Sequence, residues 1–368
     1  MKKICFASTS RADFNMIQEL LNESIKYKKI KTQLIINRNY KKKKIITKKI
    51  KIQLKNNSNI SVAQSFSKYV NSFSKILYKL KPDIFVAFGD RFEMLAATIS
   101  AYILRIPIAH IAGGEKTFGS LDEGFRHSIT KLSNLHFPTK KNYQKIINQL
   151  GENKNTIFNY GSLNEQAIYN NKFLNKLEVE KKLKAKLKKK NIILTYHPET
   201  IHTSRSLRNL KLILEEVQKL ENTLTIVTAA NNDSQGIQLN LMIRKFIKKD
   251  KLKNIIFRDN LGTQLYLSLL NIVDLVVGNS SSGISEAPLF ATKIINLGER
   301  QRGRIMHKKI INCAISRKSI SKALVNTMKL KKNFIKIKTI KKQVSKKILK
   351  KLLSFNFEKY NMKIFNEI

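Results

Sequence analysis

The stretch PDIFVAFGDRFEMLAATISAYILRIPIAHIAGGE, from Pro82 to Glu115, reads as one complete strand–helix–strand unit. Asp83 to Phe88 (DIFVAF) is a short apolar run set off by Pro82 before it and Gly89 after it, the pattern of a buried strand. Phe92 to Leu104 follows with the length and composition of a helix. Pro107 opens a second strand, Ile108 to Ala112, which runs into Gly113-Gly114. Alternation of short apolar runs with longer amphipathic ones is the mark of a layered α/β protein.

The same alternation extends in both directions. Upstream, Lys3 to Ser8 (KICFAS) reads as the first strand, Ala12 to Tyr27 as a helix and Lys31 to Asn37 as a second strand. Lys41 to Asn57 is basic and carries no assignment. Val62, Phe66, Val70, Phe73, Leu77 and Leu80 step by about a helical turn and stop at Pro82. Downstream come a helix over Glu123 to Asn134, a short strand over Leu135 to Pro138, a helix over Lys140 to Leu150 and a strand over Thr156 to Tyr160. That closes one doubly wound unit, residues 1–163.

Asn164 to Lys190 is polar and lysine-rich, a linker with a surface helix, and a second α/β series follows it. Its strands are Asn191–Tyr196, Leu224–Thr228, Asn254–Phe257, Leu275–Val277 and Lys293–Leu297. Its helices are Ser206–Leu220, Gly236–Lys248, Gln264–Asn271 and Ser285–Phe290. The second domain is thus expected over 164–340, with 341–368 a basic helical tail packing back on the first domain. Two domains agree with 368 residues at about 150 per domain.

Lys+Arg number 71 against 25 Asp+Glu, a net charge of +46 that first points to nucleic acid or an acidic membrane. The lysines, however, are spread over Lys41–Lys44, Lys181–Lys190, Lys248–Lys253 and Lys329–Lys351, with no stripe of arginine and aromatic residues and no zinc finger. A solvated basic surface is therefore expected, with no nucleic-acid or membrane partner. Two cysteines exclude a disulfide framework, and no Cys/His cluster has metal-ligand spacing. Arg11 and Asp13 interrupt any N-terminal apolar run, so a cytoplasmic location is expected.

Open α/β sheets bind ligands beyond the C-terminal ends of their strands, and several motifs fall there. Ser8-Thr9-Ser10-Arg11 lies between strand and helix without GxGxxG or GxxxxGK[ST], which removes a dinucleotide or P-loop reading. Ser10 there reads as an N-cap or as part of an anion site with Arg11. Gly89-Asp90-Arg91, Gly113-Gly114-Glu115 and Asp122-Glu123 bring carboxylates to one mouth of the sheet, where mutual repulsion separates their pKa values into a base and an acid. The plainer alternative is that Asp90, Asp122 and Glu123 only cap helices. In the second series His197 ends a strand. Gly278-Asn279-Ser280-Ser281-Ser282-Gly283 forms a small-residue turn whose N–H groups and hydroxyls suit a phosphate. Glu286 follows as a candidate for a ribose diol, and Arg300, Arg302 and Arg304 either clamp a diphosphate or lie on the surface.

Taken in order, Ser10 to Asp13, Gly89-Asp90-Arg91, Gly113-Gly114-Glu115, Asp122-Glu123 ahead of Arg126, His197-Pro198, Gly278 to Gly283 and Arg300-Gln301 before Gly303-Arg304 resemble the UDP-N-acetylglucosamine 2-epimerase family. The match is nearer to its hydrolysing branch. Phe14-Asn15-Met16 lacks the lysine of the non-hydrolysing branch, and His197-Pro198-Glu199 replaces its histidine–arginine motif.

The resemblance implies a glycosyltransferase-B type α/β fold, two Rossmann-like domains with a cleft between them. It implies metal-free and cofactor-free release of UDP by elimination to a 2-acetamidoglucal, then addition of water to give N-acetylmannosamine for sialic-acid-type sugars. The diacetamido-trideoxy sugar of legionaminic acid synthesis is the alternative substrate, and a glycosyltransferase of the same fold the alternative activity. Carried over residue by residue, Asp90, Glu115, Asp122 and Glu123 become the acid/base set. Arg11, Arg91, His197, Ser281, Ser282 and Arg300 become diphosphate ligands, and Glu286 the ribose anchor. A homodimer or homotetramer is implied as well.

Overall fold

The computed structural model describes residues 1–368 except 10, 38–39, 53–57, 119, 200–204, 231–235, 250–251, 331–342, 361 and 368, and except the side chains of 11–13, 15–16 and 249. The chain divides into two compact units. One is built from Met1–Glu115, Asp122–Tyr169 and Ile340–Ile368, the other from Lys116–Leu121 and Asn170–Thr339.

The first unit holds β1 (Lys2–Ser8), α1 (Arg11–Ser24), β2 (Ile30–Ile36), β3 (Ile45–Lys49), α2 (Asn59–Leu80), β4 (Ile84–Phe88) and α3 (Phe92–Ile103). After these come β5 (Ile108–Ile111), α4 (Asp122–Leu132), β6 (Leu135–Phe137), α5 (Lys141–Gln149) and α6 (Leu163–Asn170). Its six strands are parallel in the order β3-β2-β1-β4-β5-β6. Successive side chains point to opposite faces, so Ile4, Phe6, Ile84, Val86 and Phe88 join one core, while Cys5, Ala7, Phe85 and Ala87 join another. Burial on both faces is why these strands read as unbroken apolar runs.

The second unit holds α7 (Lys176–Leu183), β7 (Lys190–Thr195), α8 (Ser206–Gln218), β8 (Thr223–Thr228), α9 (Gly236–Lys249), β9 (Ile255–Arg258), α10 (Gly262–Ile272) and β10 (Leu275–Gly278). It continues through α11 (Ser282–Ser285), β11 (Lys293–Leu297), β12 (Ile310–Cys313) and α12 (Arg317–Lys329). The strand order β12-β11-β10-β7-β8-β9 repeats the first sheet's topology. The last helix, α13 (Val344–Ser354), packs in the first unit, where Val344, Ile348, Leu349 and Leu352 share a core with Ile17, Leu20 and Leu21 of α1.

Several readings change. The unassigned basic stretch contains the edge strand β3, whose charged, half-exposed IITKK pattern hides it from a search for apolar runs. Thr156–Tyr160 is not a strand: a 3-10 turn covers Lys154–Thr156, and Ile157 makes only a single bridge to His136. The helix expected over Ser285–Phe290 begins earlier, as α11, and a separate 3-10 turn over Ala287–Leu289 follows, with Pro288 unable to donate a helical hydrogen bond. In α2 the buried line is Ser61, Ser65, Tyr69, Phe73, Leu77 and Leu80, one residue round from the expected start at Val62. Beside that line, Ser74 Oγ of α2 donates to Ser100 Oγ of α3 at 3.2 Å.

Among the described residues no helix is long and apolar enough to cross a membrane, and no group of His, Cys, Asp and Glu could hold a metal ion. Cys5 and Cys313 are free thiols, both buried. Lys181, Lys182, Lys184, Lys186, Lys188 and Lys189 are all exposed.

Candidate active site

In the first unit the loops after β4 and β5 and the first turn of α4 meet at a single guanidinium. Arg126, on α4, is 1% exposed and hydrogen-bonded on three sides. Its Nη2 donates to Asp90 Oδ2, and its Nη1 donates to Glu123 Oε2 at 3.0 Å and to the Glu115 carbonyl at 3.0 Å. Burial works against the charge of Arg126, but Asp90, ahead of Glu115 and Asp122, more than offsets it and raises the guanidinium above its ordinary value. Of the four carboxylates expected at this mouth, Asp90 and Glu123 thus bond the buried cation directly, while those of Glu115 and Asp122 act on it through their charge. Thr139, just beyond β6, donates its hydroxyl to Glu115 Oε1 at 3.2 Å.

Arg126 was visible in the sequence only as a neighbour of Asp122-Glu123; its position three residues after Glu123 on a helix was the available clue. Arg91 is placed otherwise. Its guanidinium donates to Glu93 from Nε at 3.2 Å and from Nη2 at 3.5 Å, so a carboxylate in the first turn of the helix that Arg91 precedes engages it. The side chain of Arg11 lies outside the described residues.

A second residue that sequence reasoning missed lies beneath the mouth. His110, on β5, is fully buried and contacts the Gly89 carbonyl through Nε2 at 2.8 Å and Thr130 Oγ1 through Nδ1 at 3.1 Å. A carbonyl can only accept, so the proton sits on Nε2. Burial, first among its causes, lowers the imidazole to about 3, so the ring is neutral at ordinary pH. Gly113 packs against this pair: a Cβ there would lie 2.8 Å from His110 Nδ1 and 2.9 Å from Thr130 Oγ1. Gly113 therefore serves close packing, and His110 holds the Gly89–Asp90 turn.

In the second unit the loops after β7, β10 and β11 meet at Asn279, which is fully buried. Gly278 brings β10 against β7; with φ 138°, a Cβ at this position would lie 1.8 Å from the Thr195 carbonyl oxygen. Asn279 then exchanges hydrogen bonds with the backbone of His197, and its own carbonyl accepts from Arg300 Nη1 at 3.2 Å and Gln301 Nε2 at 2.8 Å. His197 and Arg300 are both buried, at 5% and 8% exposure. Ser281 is exposed, and Ser282 Oγ lies 2.6 Å from the Tyr266 hydroxyl. Burial alone raises the Glu286 carboxyl to about 7. Burial and, after it, the charge of Glu286 push the Tyr266 phenol up. His197, Ser282 and Arg300 are therefore tied into one local framework, with Glu286 beside Tyr266. Tyr266, Asn279 and Gln301 were not singled out from the sequence.

Comparison with known proteins agrees with this architecture. The family model described as UDP-N-acetylglucosamine 2-epimerase matches residues 27–353. A Campylobacter jejuni protein named GDP/UDP-N,N'-diacetylbacillosamine 2-epimerase (hydrolyzing) is 39% identical over 327 residues, 86% of this chain and 85% of its own. The Escherichia coli polysialic acid biosynthesis protein P7 is 29% identical over 338 residues, 88% of this chain and 85% of its own. Among solved structures, the Neisseria meningitidis UDP-GlcNAc 2-epimerase bound to UDP-GlcNAc superposes with a TM-score of 0.75 at 16% identity, covering 96% of this chain and 100% of the other. The two-domain α/β architecture is thus the glycosyltransferase-B type of these epimerases. With its motifs in order and a family match over most of its length, the chain belongs to the UDP-N-acetylglucosamine 2-epimerase family, in the hydrolysing branch.

Proposed function

We propose that the protein hydrolyses a nucleotide-linked 2-acetamido sugar with inversion at the second carbon, and that its substrate is the diacetamido-trideoxy sugar nucleotide UDP-N,N'-diacetylbacillosamine. The gathering of Asp90, Glu115, Asp122 and Glu123 around the buried Arg126 at the strand ends carries this reading. A module that only binds a nucleotide has no use for four carboxylates at one mouth; proton removal from carbon does. The choice of sugar rests on the name of the 39% identical Campylobacter relative.

In the reaction, the bond between the sugar's first carbon and the diphosphate breaks. The proton on the second carbon passes to a carboxylate, leaving a 2-acetamidoglucal. Water then adds its hydroxyl to the first carbon, and a proton returns to the second carbon on the opposite face. The sum is sugar nucleotide plus water giving nucleotide plus free 2-epimer. Arg126 fixes Asp90 and Glu123 for this work, and Thr139 orients Glu115. Negative charge building on the departing diphosphate needs preorganised donors, a role this reading assigns to His197, the Ser281–Ser282 turn and Arg300. Glu286 would accept from the ribose diol.

The second reading keeps the chemistry and changes the sugar to UDP-N-acetylglucosamine, yielding N-acetylmannosamine; the family model's description favours it. Incubation with each sugar nucleotide, in UDP and GDP forms, separates the readings by which one yields free 2-epimer. Nucleotide release only when an acceptor sugar is added would make the protein a glycosyltransferase instead. A cytoplasmic homodimer or homotetramer belongs to the same proposal, its size read by light scattering.

A further inference from the structure

We infer that Asn279 is the positioning residue of the second unit's site, the joint that holds His197, the serine turn and Arg300 in the one arrangement that receives a nucleoside diphosphate. The inference rests on the nucleotide-binding role proposed for those groups.

The last register pair between β7 and β10 is Thr195 with Gly278, and beyond it the two backbones separate. Asn279 carries the pairing one step further with its side chain. Its Nδ2 donates to the His197 carbonyl at 2.8 Å, and its Oδ1 accepts from the His197 N–H at 2.7 Å, as a neighbouring peptide would. Its own N–H donates to the Thr195 carbonyl at 3.1 Å. Because a side chain satisfies His197, the main chain of 280–282 is released to turn away as the serine loop. The Asn279 carbonyl meanwhile takes Arg300 Nη1 and Gln301 Nε2, which fixes the loop after β11 to the same residue. Three segments far apart in sequence therefore meet at one buried residue, whose side-chain amide holds His197 and whose main-chain carbonyl holds the loop after β11.

Few residues can do this. Asparagine presents one donor and one acceptor on a short planar group. Leucine has the shape but would strand the buried N–H and carbonyl of His197. An ionised aspartate has no proton for the carbonyl, whereas a neutral carboxyl has both functions. Asn279→Asp is thus a substitution whose effect depends on pH. The titratable and charged groups around the position are Tyr196, His197 and Glu199 after β7 and Arg300 after β11. All four are present in both proteins, so the readout is the ratio of variant to wild-type UDP dissociation constants at each pH.

Isothermal titration calorimetry with UDP from pH 5.5 to 8.5 should give a ratio within about threefold at the acid end, where burial keeps the introduced carboxyl neutral. The ratio should rise to roughly 10- to 100-fold at the alkaline end as the donor to His197 is lost. kcat on the turned-over sugar nucleotide should change less than UDP affinity. A ratio that stays flat with pH, or a loss confined to kcat, overturns the inference while wild-type turnover leaves the functional reading intact. Wild-type protein that neither binds UDP nor releases it refutes both. Should the variant not fold, Gln301→Met removes one of the two donors to the Asn279 carbonyl and is expected to weaken UDP binding by about 3- to 10-fold. Unchanged affinity in that variant overturns the inference as well.

Discussion

At the ends of β4 and β5 the first unit bonds the Asp90 and Glu123 carboxylates and the Glu115 carbonyl to Arg126, with the charges of Glu115 and Asp122 acting on it as well, while at the ends of β7, β10 and β11 the second collects an asparagine, serines, a histidine and an arginine. The two sheets share a strand order, so the difference lies in the loops. Under the proposed reading the first mouth holds and moves protons, with two of its carboxylates, Asp90 and Glu123, fixed by a buried cation. The other sets one guanidinium, Arg300, among neutral donors and backbone, an arrangement suited to an anion that must be gripped and released. Repetition of a scaffold with opposite loop chemistry is a direct route to an enzyme that both binds a diphosphate and abstracts a proton.

The comparison breaks most sharply if proton chemistry and nucleotide binding are not separable. Glu115→Gln and Asp90→Asn should each lower turnover by about 10³-fold or more while UDP affinity, measured by calorimetry, stays within about threefold. Loss of UDP binding in parallel would show that the first mouth also grips the nucleotide. Next in size is Arg126→Met, which leaves Asp90 and Glu123 without their buried partner. Urea denaturation should report a loss of about 3 kcal/mol, and Arg126→Lys should restore only part of it, lacking the forked donors. Stability unchanged in the methionine variant would remove Arg126 as the organiser of the mouth.

The smallest effect sharpens the second mouth. Glu286 has a folded value of about 7 against an ordinary 4.5, so the folded protein holds its proton more tightly than the unfolded chain. Its contribution to stability is therefore full below about pH 4.5 and declines as pH rises through about 7. Over pH 6 to 8 the carboxylate form, the better acceptor for a ribose diol, becomes dominant, and UDP affinity should rise by up to about tenfold. Glu286→Gln should flatten both trends; persistence of either would assign it to another group.

Much of this was legible in the sequence. Pro82, Gly89 and Gly113-Gly114 punctuate the apolar runs of β4 and β5, and the carboxylates stand directly after them, so the strands and the first mouth follow from local signals. What stayed hidden were residues whose meaning depends on distant partners. Arg126 reads as one more basic residue in a chain with 71 Lys+Arg until the fold buries it against Asp90. His110 lies inside an apolar strand and acts only through the Gly89 carbonyl and Thr130. Asn279 was quoted within a serine turn, yet its partners His197 and Gln301 lie 82 and 22 residues away. β3 escaped because an edge strand that pairs two isoleucines with two lysines carries no long apolar run.

The division of labour rests on proton removal from the sugar's second carbon, and running the reaction in deuterium oxide tests that step most directly. Proton NMR of the released sugar should show deuterium at the second carbon, with one nucleotide freed for each sugar. Full retention of the original hydrogen at that carbon, with nucleotide still released, would contradict the account.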